Sequence, residues 1–354
     1  GLVRLHLAPT LLVLLALAAG VGCSDPEAAV KEHRTLGQGH LDGEQWAEAE
    51  IEFRNILQID PNDADAHWGV AQARLGAGDA RGAYWELQET VRLDPDNQEA
   101  KLRYAQFQVF GKPEDIESAL EMADEIIAAD PSTWQAFVLR ARALAGLKRP
   151  EEIGAALLGA TRAAPEEGGP HLLYANYLRG ERKNEEAETY YRKVVELEPG
   201  FPSYGALAVF LASLDRDDEA ETLLQEGIEL AEAEEKVSAY TLYANYLMAR
   251  DRKAEAEQVL RDGMATQPDD GVELTYTLAR FDHAEGRREQ ADAMILEATQ
   301  ADPKDPKPYL LLSNYRAQIG DMEGALEAAE QSLEADPTYT IAKLRKAEVL
   351  VDLG

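Results

Sequence analysis

Proline returns along this chain at Pro61, Pro95, Pro131, Pro165, Pro199, Pro268, Pro303 and Pro337, in steps of 34, 36, 34, 34, 69, 35 and 34 residues. Proline cannot continue a helix, and it biases the residue before it away from helical backbone. The chain is therefore cut into segments of nearly fixed length, and the step of 69 is two periods with one proline lost. Twelve residues before these prolines stand Ala49, Ala83, Ala119, Ile153, Ala187, Ala256, Ala291 and Ala325. Twelve further back stand Gly37, Ala71, Ala141, Ala175, Ala244, Ala279 and Ser313. In the third period the partner is Ala105, and its gap of fourteen implies two extra residues around Gly111-Lys112-Pro113.

Each period holds two stretches with apolar residues at helical spacing, as between Ala47 and Leu57. Glycine or charge parts the two, as at Gly78-Asp79, Gly286-Arg287 and Gly320-Asp321, and Asp-Pro closes the second. The small residues let two antiparallel helices approach closely. Such a hairpin cannot bury its own apolar face without a neighbour, so the hairpins must stack in an array. This predicts an all-α chain.

The pattern resembles the tetratricopeptide repeat: a small residue at the eighth position, alanine at the twentieth, an aromatic or aliphatic residue at the twenty-fourth and proline at the thirty-second. The resemblance covers about Glu27 to Gly354. It implies an α-solenoid of about nine and a half repeats, wound as a right-handed superhelix. Six repeats are expected over 27–231; repeats seven to nine and the first helix of a tenth, truncated at Gly354, over 232–354. In the sixth repeat Glu232 stands where proline belongs, so the second helix is expected to run on through Glu235 and to mark a bend or subdomain border.

In such arrays the first helices line a concave face, and the resemblance places the second, fifth, ninth, twelfth and thirteenth positions in the groove. The ninth positions include Gln38, Gln72, Gln106, Arg142, Asn176, Asn245, Arg280 and Asn314, a rail of amide and guanidinium donors interrupted by Val209. The fifth positions include Trp68, Leu102 and Tyr276, a mostly apolar rail. Together they suit an extended peptide, whose backbone pairs with amides and whose alternate side chains enter apolar spots. The pentapeptide Tyr-Ala-Asn-Tyr-Leu, present at 174–178 and 243–247, is one repeat unit seen twice. Its asparagines, with Asn314, would mark a track of about 40 Å if first helices lie about 10 Å apart. Related arrays that clamp a C-terminal carboxylate pair lysine at the fifth position with asparagine at the ninth; no repeat here has both.

Acidic residues number 66 against 35 basic, a formal charge of −31, so the chain is repelled by phosphate backbones and nucleic-acid binding is not expected. With 45% hydrophobic residues, the acidity belongs to the surface of a folded protein. Cys23 is the only cysteine, which rules out an internal disulfide. Ahead of it, Arg4 precedes an apolar run from Leu11 to Ala19 and a stretch of small residues. This has the shape of a secretory signal, and its end resembles a bacterial lipoprotein signal, although Gly20 departs from the usual leucine. The resemblance implies a signal peptide at 1–22, a lipidated linker at 23–26 and acyl chains on Cys23 that hold the protein on a membrane. Ser24 after the cysteine implies the outer membrane, facing the periplasm. Ordinary cleavage after Ala18 would instead leave Cys23 a free thiol.

Catalytic and metal chemistry find no support in the residues. His33, His67 and His171 share the fourth position of their repeats, where a packing residue belongs. No His-Glu-x-x-His pattern or cysteine pair exists. The acidic run from Asp60 to Asp65 lacks the glycine and distal glutamate of a calcium loop. No enzyme activity, metal or cofactor is expected. The expectation is a scaffold of the bacterial envelope, resembling tetratricopeptide lipoproteins that support envelope, secretion or polysaccharide-export assembly, with protein partners in its groove. The alternative is a passive spacer for a catalytic or effector domain after residue 354.

Overall fold

The structure, a computed structural model, describes residues 25–266 and 271–354; the leader and Cys23 lie outside the described residues. Among them are nineteen α-helices, one 3-10 turn and no strand. Two compact units divide at Pro165/Glu166; the 231/232 border suggested by the lost proline is not where they part. The first unit is four helix pairs: α1 (Pro26–Asp42) with α2 (Trp46–Ile59), α3 (Ala64–Gly76) with α4 (Ala80–Leu93), α5 (Gln98–Gln108) with α6 (Pro113–Ala129), and α7 (Trp134–Gly146) with α8 (Pro150–Ala163). The second unit is five pairs and one further helix. The pairs are α9 (Gly168–Gly180) with α10 (Asn184–Leu197), α11 (Phe201–Ala212) with α12 (Asp217–Leu230), α13 (Lys236–Ala249) with α14 (Lys253–Thr266), α15 (Gly271–Ala284) with α16 (Arg288–Ala301), and α17 (Pro306–Gln318) with α18 (Met322–Ala335). Helix α19 (Thr340–Leu353) follows them.

Within each unit the helices pack in their order along the chain. Along one side, α1 lies beside α3 and α5 beside α7; in the second unit α11, α13, α15, α17 and α19 follow one another. The small residues sit at the hairpin crossings, with Ala71, Ala83, Ala175, Ala187, Ala244 and Ala256 fully buried. In the ninth repeat Ser313 takes the place of alanine, and its hydroxyl donates to the Ala325 carbonyl at 2.7 Å, so the crossing stays closed and the buried hydroxyl is satisfied.

Two turns recur. Between the helices of eight of the nine pairs, one loop residue is left-handed: Glu44, Gly78, Lys148, Arg182, Asp215, Asp251, Gly286 and Gly320 all have φ between 55° and 86°. Glycine adopts this backbone at no steric cost, yet five of these positions carry side chains; the next residue's N–H closes the turn on a carbonyl of the first helix in all eight, as from Gln45 to His40 at 2.8 Å. Between pairs, the aspartate before proline accepts from the backbone N–H two residues on, as Asp60 does from Asn62 at 3.0 Å and Asp336 from Thr338 at 2.8 Å. The Ser132 and Thr338 hydroxyls, each donating at 2.7 Å, and secondarily the backbone N–H groups of the same residues hold the Asp130 and Asp336 carboxyls below the ordinary range. The acidic run at 60–65 is one such turn: Asp63 then caps α3 through the Ala66 N–H at 2.8 Å.

At the missing proline the second helix does not run on through Glu235. Helix α12 stops at Leu230, Ala231 and Glu232 are extended, and a 3-10 turn at Ala233–Glu235 leads into α13. The Lys236 ammonium caps the carbonyl end of α12 at Ile228, and Glu235 accepts from the Glu232 N–H at 3.0 Å. A charged cap thus ends the helix where proline does so elsewhere.

An ionic ladder stitches successive second helices of the second unit. Arg216 donates to Glu188 at 2.5 Å and to Glu219 at 2.7 Å. Arg252 repeats this with Glu221 at 2.5 Å and Glu255 at 2.7 Å, and Arg287 with Glu257 and Asp282. Each arginine ties the start of its own helix to the helix before. Hydrogen bonding from these arginines holds the Glu188 and Glu221 carboxyls below their ordinary range. A carboxylate lowered in the folded state adds stability that is present above its unfolded value, about 4.3, and lost as pH falls through the folded value. Acid also relieves the self-repulsion of a very acidic chain, so the ladder is isolated by difference. Arg252→Gln should cost about 1 kcal/mol at pH 7, and the deficit should shrink toward pH 3 and in 1 M salt. Thermal melts followed by circular dichroism test this; a deficit independent of pH and salt would refute the ionic origin.

Candidate functional site

The grooves run along the first helices of each unit. In the first unit, Gln38, Trp68 and Gln72 line one cleft of about 550 Å³ together with Asp42, Trp46, Glu99 and Arg103. Leu102 and Gln106 line a second, of about 540 Å³, with Gln98, Trp134 and Gln135. Glu99 and Arg103 border both, so the two form one continuous trough. The indole of Trp46 reaches this wall because Gly76 has no side chain: a Cβ there would lie 2.5 Å from the Trp46 ring.

In the second unit Asn176 lines a cleft of about 390 Å³ with Leu172, Arg179, Phe201 and Val209. Asn245 and Tyr276 line its neighbour, of about 550 Å³, with Thr241, Glu273 and Leu311. Phe201 and Leu242 are shared, so this trough too is continuous. Its wall is mainly apolar, and Val209 is 45% exposed. Arg142 and Arg280 are exposed and Asn314 is half-buried, and none of the three borders these four clefts. The Arg280 guanidinium instead sits 5.8 Å from the centre of the Tyr276 ring.

The repeated pentapeptide divides its labour by face. Tyr174, Ala175 and Leu178 are buried, as are Tyr243, Ala244, Tyr246 and Leu247, while Asn176 and Asn245 are exposed. Tyr174 packs edge-on against Tyr190 at 4.8 Å. Tyr243 donates to Glu221 at 2.6 Å, and burial together with that carboxylate pushes its hydroxyl up to about 12. Asn176 is held by its carbonyl end, which accepts from the Tyr191 hydroxyl at 2.6 Å. Its NH₂ end takes no part in that bond.

The histidines behave as packing residues. His33 pairs with Glu52 at 2.6 Å and His67 with Glu86 at 2.7 Å, each across one hairpin, and His171 stacks on Tyr190. Among the described residues no group of three or more His, Cys, Asp or Glu could hold a metal ion, and no helix is long and apolar enough to cross a membrane.

Glu99 and Arg179 stand at the second and twelfth positions, which the resemblance also places in the groove. Others escaped the positional reading. Trp46 and Phe201 begin helices, and no periodic signal marks them, because they enter the trough through loop geometry.

Residues 104–167 match one tetratricopeptide-repeat model, and residues 171–201 and 306–339 match another. Over 60 residues the chain is 38% identical to CcmH of Haemophilus influenzae, a protein named for cytochrome c-type biogenesis; the match is 17% of this chain and spans 13% of that relative's length. Among solved structures it is similar to PilF of Pseudomonas aeruginosa, at 20% identity over 58% of this chain and 93% of that one, with a TM-score of 0.48. It is also similar to MamA from Desulfovibrio magneticus, at 23% identity over 48% of this chain and 95% of that one, with a TM-score of 0.43. Matched stretches in both units, paired helices in chain order and small residues at most crossings lead to one conclusion: the chain is built of tetratricopeptide repeats, stacked as an α-solenoid within each unit.

Proposed function

We propose that this protein is a non-catalytic scaffold of the bacterial cell envelope, anchored through lipid on Cys23 to the outer membrane and facing the periplasm. The trough of the second unit holds an extended segment of a protein partner. The observation that carries this reading is the continuity of the two clefts through Phe201 and Leu242, with an exposed asparagine in each. Apolar side chains of the segment enter beside Leu172, Val209 and Tyr276, and the Asn176 and Asn245 amides pair with its backbone. The leader that ends at Cys23 and the local likeness to a cytochrome c biogenesis protein support the envelope assignment.

Crosslinking and pull-down from membranes test the trough. The Asn176→Ala/Asn245→Ala variant is expected to lose its main partner at least tenfold, as two lost hydrogen bonds imply. An unchanged partner list removes both amides from the binding site. Labelling with a palmitate analogue tests the anchor: it should appear in the wild type and vanish in Cys23→Ala, and persistent labelling sinks that assignment.

A further inference from the structure

The two units present different chemistry in their troughs. Three of the four tryptophans, Trp46, Trp68 and Trp134, border the clefts of the first unit. No tryptophan lies in the second unit. With them stand planar polar groups of every kind: the amides Gln72 and Gln106, the Arg103 guanidinium, and the Asp42 and Glu99 carboxylates. Among the described residues, Gln72, Gln106 and Arg103 make no side-chain hydrogen bond or ion pair, and the three indole N–H groups have no partner. Gln98 adds a side-chain oxygen that is shut off from solvent and unpaired. Gln72 and Gln106 are half-buried and Arg103 is exposed, so these donors can exchange water for a ligand without breaking a bond inside the protein.

We infer that the trough of the first unit is a binding site for a neutral glycan chain. A pyranose ring offers an apolar C–H face and a rim of hydroxyls. Indole rings supply a broad flat surface for the face and an N–H at the edge. Each hydroxyl both donates and accepts, so it suits a wall that mixes amide, guanidinium and carboxylate groups. Charges of both signs border the trough, Arg103 against Asp42 and Glu99, which disfavours a strongly charged ligand of either sign. A proline-rich peptide would also stack on tryptophan, but proline has no N–H to give the carboxylates. The inference concerns the first unit and stands apart from the peptide reading of the second.

Titration of intrinsic tryptophan emission of the full chain with cellohexaose, chitohexaose and decaproline tests it. A saturable change with at least one hexasaccharide is expected. Gln72→Ala and Arg103→Ala should each weaken it about tenfold, the factor that one lost hydrogen bond implies. Trp68→Ala should abolish it; because Trp68 also packs beside Ala71 and Leu87, the two polar variants decide the outcome. Trp85→Phe, outside the trough, and Asn176→Ala/Asn245→Ala should leave the affinity unchanged. The inference is overturned by no saturable response to either hexasaccharide, by a response to decaproline alone, by affinity that survives in Gln72→Ala and Arg103→Ala, or by its loss in the second-unit variant.

Discussion

Replacing Tyr191 with alanine should lower the unfolding free energy by about 3–5 kcal/mol, the range for emptying a buried aromatic site. The ring is 1% exposed and stacks on Phe210 with centroids 4.7 Å apart, joining α10 to α11. Its hydroxyl reaches back to Asn176 on α9 at 2.6 Å. One side chain therefore ties three successive helices and fixes a groove residue. Burial raises the Tyr191 hydroxyl above its ordinary range, so the bond to Asn176 persists well into alkaline solution. Tyr191→Phe keeps the ring and should cost only about 1 kcal/mol, while freeing Asn176. The four tryptophans, Trp46, Trp68, Trp85 and Trp134, all lie in the first unit. In a stacked array energy is shared mainly between neighbours. Denaturant unfolding of Tyr191→Ala should therefore shift the far-ultraviolet dichroism midpoint more than the tryptophan-emission midpoint. Equal costs for the alanine and phenylalanine variants would show that the ring is not the tie.

Gly69→Leu should destabilise the first unit by about 3 kcal/mol, the upper end of the cost of overpacking. A Cβ at Gly69 would lie 2.5 Å from two atoms of the Phe53 ring. Phe53 is 3% exposed and cannot retreat, because on its other side a Cβ at Gly37 would already lie 2.9 Å from the same ring. The ring of α2 thus lies between the backbones of α1 and α3, and two glycines make the room. Here the emission midpoint should move most, since Trp46 packs against the same cluster. Adding Phe53→Ala to Gly69→Leu transfers volume from one side of the contact to the other. The pair should therefore cost less than the sum of the singles, by about 1 kcal/mol or more. Strict additivity would mean that the two residues do not compete for one space.

The sequence alone determined the hairpins. Proline and the helix-breaking turns act on their own neighbours, and the alternation of small and apolar residues follows the helix period, so both are readable from a one-dimensional string. The pairing of Ala71 with Ala83 and of Ala175 with Ala187, the packing role of the histidines, and the inserted residues before Pro113 all follow from that local code. The exposed faces of Asn176 and Asn245 were legible for the same reason.

Only the tertiary structure decided where α12 ends, because a lysine cap contributed by the next helix replaced the missing proline. It alone showed which rail residues share the four clefts, Gln38 with Gln72, Leu102 with Gln106, Asn176, and Asn245 with Tyr276. It also brought Trp46 and Phe201 into the walls and set Phe53 between two glycines. These outcomes depend on how successive helices tilt and on what the next repeat places opposite, and both quantities arise between segments far apart in the chain. A repeat position fixes the direction in which a side chain leaves its helix, whereas its neighbours across the groove fix what that side chain can bind.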